Sequence, residues 1–131
     1  MELTELHELA REAALDLTEV CHGLACTAGW WNDSDPNTSK ANPLHFSNKL
    51  CLIHSEISEA MEGDRKNLMD DKLPHRPMRE VELADAAIRI FDLAGGYGMD
   101  LAGAIAEKLA YNAQRADHKP ENRAAAGGKT Y

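Results

Sequence analysis

The chain has 131 residues, 44% apolar and 27% charged, which suits a single domain with a modest core and excludes a disordered polymer. A formal net charge of −8 excludes docking on a nucleic-acid backbone, which calls for a basic footprint. Small phosphorylated ligands stay open, because a bound divalent cation inverts the local field.

The opening stretch MELTELHELAREAAL is acidic and amphipathic. It lacks the basic region and apolar block of a secretory signal, and no apolar run reaches the roughly 18 residues of a membrane span. A cytoplasmic protein without membrane contact is expected. Leu3, Leu6, Ala10, Ala13, Leu17, Val20 and Leu24 recur at three- and four-residue steps and predict a first helix over about residues 3–22. Cys21, Cys26 and Cys51 are odd in number and embedded in apolar pattern, so they read as buried free thiols. Zinc held by Cys21, His22 and Cys26 lacks the usual spacing.

The segment GWWNDSDPNTSKANP predicts a long loop carrying Trp30 and Trp31. Trp31 either stacks on a base or closes an edge of the core. Asn42 before Pro43 predicts a helix start by N-cap and first-turn proline, and that second helix extends to about Met61, ended by Gly63. A third helix is expected from about Met78 to Leu93, stopped by GGYG, and a fourth, capped by Asp100, from about Leu101 to Ala116. The tail over about residues 117–131 has little to bury and is expected to be extended. The fold expected is all-α, a bundle of four to five helices in one domain spanning residues 1–131. Apolar residues on several helix faces predict oligomerisation.

Two acidic pairs stand out. Glu56 and Glu59 in HSEISEAMEG lie three apart, as do Glu82 and Asp85 in EVELADAAIRI, so each pair projects from one side of its helix. If the second and third helices are antiparallel neighbours, the four carboxylates converge. Oxygen-only ligation suits Mg²⁺ or Mn²⁺, and Mg²⁺ commonly completes its shell with water and substrate phosphate. The alternative is a solvated acidic face. In EKLAYNAQRADHK, Lys108, Asn112 and Arg115 fall at steps of four and three, a face able to clamp phosphates and meet a sugar or base. The competing reading is an ordinary charged surface with Arg115 serving the helix dipole. Lys49, seven residues before Glu56, and Lys129 in the tail are further phosphate candidates. His54 lies off the carboxylate face, and Arg89, one turn after Asp85, is placed to balance that carboxylate.

The three stretches KLCLIHSEISEAMEG, EVELADAAIRIFD and KLAYNAQRADHK, in that order over residues 42–119, resemble the MazG-like all-α nucleoside triphosphate pyrophosphohydrolases. That family's pattern of E-x-x-E, E-x-x-D and a Lys, Asn and Arg run falls here on Glu56, Glu59, Glu82, Asp85, Lys108, Asn112 and Arg115. The stretch DDKLPHRPMREVELAD and the ending GGKTY look closest to the compact branch of integrons and phages, which includes the MazZ-type enzymes. The resemblance implies Mg²⁺-dependent hydrolysis of a nucleoside triphosphate, (d)GTP foremost, to the monophosphate and pyrophosphate. It also implies a homodimer or homotetramer, with active sites at subunit contacts. Two other classes compete. A di-iron carboxylate protein needs two E-x-x-H motifs, and only Glu19 with His22 fits one. A non-catalytic nucleotide-binding or helical interaction module needs the same pocket without turnover.

Overall fold

A computed structural model describes residues 1–115, 117 and 119–130. It is helical throughout: α1 is Leu3–Thr27, α2 His45–Lys66, α3 Met78–Gly96, α4 Leu101–Gln114 and α5 Pro120–Arg123. Among the described residues the only extended pairing is an isolated bridge between Met69 and Pro77. No helix among the described residues is long and apolar enough to cross a membrane. The expected end of the fourth helix, Ala116, lies outside the described residues, as do His118 and Tyr131 of the tail. Within that tail, which the sequence presents as extended, Pro120 at the first turn starts the short α5.

Contacts divide the chain into two compact units. One comprises Met1–Asp16 with Asp100–Tyr131, and the other is Leu17–Met99. In the first, Asp100 caps α4 as expected, its carboxylate accepting the Gly103 N–H at 2.9 Å.

The second unit is built on a helical hairpin. Gly63 of α2 lies against Met78 of α3, Asp64 pairs with Arg79, and Glu56 pairs with Arg89. Partner numbers fall along α2 as they rise along α3, so the two helices are antiparallel. The connection between them is tied to itself. Asp70 is buried, and its Oδ2 accepts the N–H groups of Lys72 at 3.0 Å and Leu73 at 2.8 Å. Met78 N–H closes the turn by donating to the Leu68 carbonyl at 3.0 Å. The buried apolar residues of this unit include Ile53, Ala60, Ala86, Leu93 and Ala94. Alanines let the helix axes approach closely and leave many larger side chains outside.

Three glycines read as helix stops lie inside helices instead. A Cβ on Gly63 would stand 2.8 Å from the Met78 Cβ, and one on Gly95 would stand 2.5 Å from the His22 Cβ. A Cβ on Gly96 would overlap the benzo ring of Trp31. These glycines admit a neighbour rather than reverse the chain. Helix α2 ends where Asn67 turns left-handed at φ 52°. The N-cap expectation at Asn42 is likewise corrected: Asn42 accepts the Leu44 N–H through its side chain in a turn, and α2 starts at His45. The cysteines differ too. Cys21 is buried, but Cys26 and Cys51 are exposed, because the helix faces that bear them turn outward.

Candidate metal centre

Helix α2 delivers Glu56 and Glu59 one turn apart, and the antiparallel α3 brings Glu82 to them. One carboxylate oxygen from each lies within 4.8 Å of the others. Glu56 forms the floor at 8% exposure, Glu82 is half-buried and Glu59 faces solvent. Three like charges this close need a proton, a cation or both.

The structure supplies a partial answer with its own groups. Arg89 Nε donates to Glu56 Oε1 at 3.0 Å. Glu82 is pushed up to about 8, first by its hydrogen bond with Glu56, then by burial and by Glu59. Glu56 is lowered, chiefly by that same hydrogen bond and further by Arg89, against the opposing effect of burial. The opposite directions of these two shifts mean that the pair shares one proton between its two carboxylates. Arg89 was expected to balance Asp85, its neighbour in sequence. Its charge does lower the pKa of Asp85, but its hydrogen bond reaches across the hairpin to Glu56.

Asp85 stands outside the three-carboxylate group. Burial raises its pKa first, followed by the charge of Glu56, with Arg89 opposing and Asp70 adding to the rise. It flanks the cluster, in electrostatic contact with its floor.

Glu82, Asp85, Arg89 and Asp92 fall at steps of three, four and three, so one stripe of α3 carries them all. Asp92 has no partner readable from sequence, yet its Oδ1 accepts Trp31 Nε1–H at 2.8 Å and meets His22 Nδ1 at 3.0 Å. Continuing the 82–85 spacing two further steps is the signal that finds it. Around Trp31 the chain builds an aromatic cluster. Its ring meets His22 at 5.1 Å, His45 at 5.4 Å and Tyr97 at 6.0 Å, each edge to face, and Lys49 Nζ lies 4.9 Å from its centroid. His45 is buried, with Nδ1 2.7 Å from the Tyr97 hydroxyl; burial, then Lys49 and Lys40, lower its pKa. Trp31 thus closes a core edge, and Lys49 packs on it. His54 is exposed, as its position off the carboxylate face implies.

The candidate cations Lys108, Arg115 and Lys129 belong to the other unit. Lys108 lies over the Tyr111 ring at 4.8 Å. Helix α4 ends at Gln114, so Arg115 leaves the helical stripe on extended backbone, although its Nη1 still reaches Asn112 Oδ1 at 3.4 Å. The Arg115 guanidinium donates to both carboxylate oxygens of Asp117, at 3.0 and 2.7 Å, and Lys129 Nζ is 3.6 Å from the same residue. A shallow depression in this unit, lined by Met1, Thr4, Glu5, Glu8, Leu9 and Glu12, shares no residue with the carboxylates.

The donor set fits a hard divalent cation: all oxygen, two ligands from one helix and one from its neighbour, with one proton to expel. No protein-family model matches the chain, and the comparisons with curated proteins and with solved structures find no match either.

Proposed function

We propose that the chain is a nucleoside triphosphate pyrophosphohydrolase of the MazG-like kind, cleaving a purine triphosphate, (d)GTP foremost, to the monophosphate and pyrophosphate. Its role is to supply or sanitise the nucleotide pool. The observation that carries the reading is the approach of Glu56, Glu59 and Glu82 to within 4.8 Å across two helices. The motif resemblance supplies the substrate class and the base preference.

In this reading Glu56, Glu59 and Glu82 hold Mg²⁺, or Mn²⁺ in its place, with Asp85 on the flank. The ion supplies Lewis-acid polarisation of phosphoryl oxygens. Glu56 is fixed by Arg89, so the floor keeps its geometry while outer groups exchange partners. Glu82 is pushed up to about 8 by Glu56, burial and Glu59 in the metal-free cluster, and gives up its proton when the ion binds. The motif resemblance assigns the phosphate and sugar contacts to Lys108, Asn112 and Arg115, with Lys49 and Lys129 as further cations. Binding requires Arg115 and Lys129 to exchange Asp117 for phosphate oxygens.

A panel of (d)NTPs with Mg²⁺ or Mn²⁺, resolved for pyrophosphate against orthophosphate, tests the proposal. Pyrophosphate with (d)GTP turned over fastest is expected. Orthophosphate, or binding without turnover, overturns it in favour of a phosphatase or a binding module. Equal turnover of every nucleotide removes the base preference alone.

The same reading makes the protein a homodimer or homotetramer. On α2, Ile57 is 48% and Met61 61% exposed, and on α3 Leu83 is 56% exposed, more apolar side chain than a solvated helix pair presents. Light scattering at micromolar concentration is expected to give a dimer or tetramer; a persistent 14.4 kDa species defeats this part.

A further inference from the structure

We propose that Cys26 is an activated thiol, a modification site for low-molecular-weight disulfides, with His22 as its base and Asp92 as the group that orients the base. None of the three residues belongs to the carboxylate cluster, so this inference stands independently of the hydrolytic reading.

His22 and Cys26 are one turn apart on α1, which puts both side chains on one face. The Cys26 Sγ lies 3.4 Å from His22 Nε2 and 3.8 Å from Nδ1. The shorter contact is the meaningful one, because Nδ1 is already engaged at 3.0 Å by Asp92 Oδ1. An ionised carboxylate only accepts, so His22 Nδ1 carries a hydrogen, and the tautomer so fixed has its lone pair at Nε2, toward the sulfur. Asp92 is itself held: its side chain is 14% exposed, and Trp31 Nε1–H donates to the same oxygen at 2.8 Å. Thiol, imidazole and carboxylate are therefore arranged in series, each within hydrogen-bonding reach of the next. That is the arrangement by which proteins activate a weak nucleophile.

The other two thiols are internal controls. Cys21 is buried, and its pKa is raised by burial and then by the Asp92 charge. Cys51 is exposed, like Cys26, but no hydrogen-bonding partner to its sulfur exists among the described residues. Exposure alone predicts equal reactivity for Cys26 and Cys51. The His22–Asp92 series predicts that Cys26 leads.

The step balances without any further reactant. The Cys26 thiol proton passes to His22 Nε2, and the sulfur attacks one sulfur of the incoming disulfide. A protein-to-ligand S–S bond forms as the ligand's own S–S bond breaks, and the departing thiolate takes the proton from Nε2. The product is a mixed disulfide at Cys26 beside the His22–Asp92–Trp31 group.

The full-length protein, with all three cysteines reduced, is exposed to oxidised glutathione at neutral pH, and adducts are followed by peptide mass spectrometry. Cys26 is expected to be modified about tenfold faster than Cys51. His22→Asn should bring Cys26 down to the Cys51 rate while leaving Cys51 unchanged, and His22→Gln serves where the first variant misfolds by circular dichroism. Equal rates at Cys26 and Cys51 in the wild type overturn the proposal. So does a folded His22 variant in which Cys26 keeps its lead.

Discussion

Glu56→Gln is expected to lower turnover by roughly two to four orders of magnitude while the helices persist. Glutamine keeps the shape of the side chain and can still accept from Arg89, so the hairpin need not open. What disappears is the charge on the most buried oxygen of the cluster, the one that Glu82, Glu59 and Arg89 all address. Glu59→Gln and Glu82→Gln should fall in the same range, because each removes one of the three converging ligands. Asp85→Asn should lose less, since Asp85 flanks the group. Residues acting as one unit give losses that do not add, so any double substitution among the three should cost little more than its worse single member. Stability should move the opposite way from activity. In metal-free protein, Glu82→Gln removes a carboxyl held against two others and is expected to raise the midpoint of thermal unfolding, even as turnover collapses. Steady-state kinetics and circular dichroism on one set of variants read both. A Glu56→Gln protein that folds and turns over like the wild type reduces these carboxylates to a solvated face.

Metal-free protein should lose stability as the pH rises from about 4.5 to about 8. Glu82 titrates near 8 in the folded chain and near the ordinary 4.5 when unfolded. Between those values the native state keeps a proton that the unfolded state has released, so raising the pH favours unfolding, and the loss is complete above about 8. Glu56 works in the other direction. Its lowered pKa contributes stability above its ordinary value, which disappears only as the pH falls through the folded value. At about 1.4 kcal/mol per unit of displacement, discounted for the half-exposed position of Glu82, the loss should be roughly 2 kcal/mol. Divalent metal reverses the slope. Binding must displace the shared proton, so Mg²⁺ affinity is expected to climb toward pH 8 by up to about tenfold per unit and then level off. Calorimetric titration in two buffers of different ionisation enthalpy measures the proton released. An affinity flat from about pH 6 to about 8, with no proton released, rules out Glu82 as a ligand.

Much of the fold was written in local pattern. Apolar spacing along α1, the carboxylate N-cap at Asp100 and the proline-rich breaks are consequences of a few adjacent residues, and the helices form there, although α1 runs on to Thr27 and α2 to Lys66, past the expected ends near residues 22 and 61. The paired spacing of Glu56 with Glu59 and of Glu82 with Asp85 was equally visible, since a helix turns by a constant angle. Gly63, Gly95 and Gly96 were not interpretable in the same way. A glycine that reverses the chain and a glycine that admits Met78, His22 or Trp31 are the same letter, and only the neighbour across the contact tells them apart. Arg89 shows the same limit for charge. Its charge acts on Asp85 beside it, but its hydrogen bond goes to Glu56 across the hairpin, a partner that spacing along one helix does not reveal.

By itself, then, the sequence determined an all-helical chain, its acidic stripes and its cationic run, because helix periodicity and capping are local. Tertiary structure decided which three of four carboxylates meet and which two share a proton. It also decided which carboxylate holds the imidazole that lies beside Cys26. Those outcomes depend on distances between residues 26 to 70 positions apart in the chain, such as Glu56 to Glu82 and His22 to Asp92, which packing sets and periodicity does not.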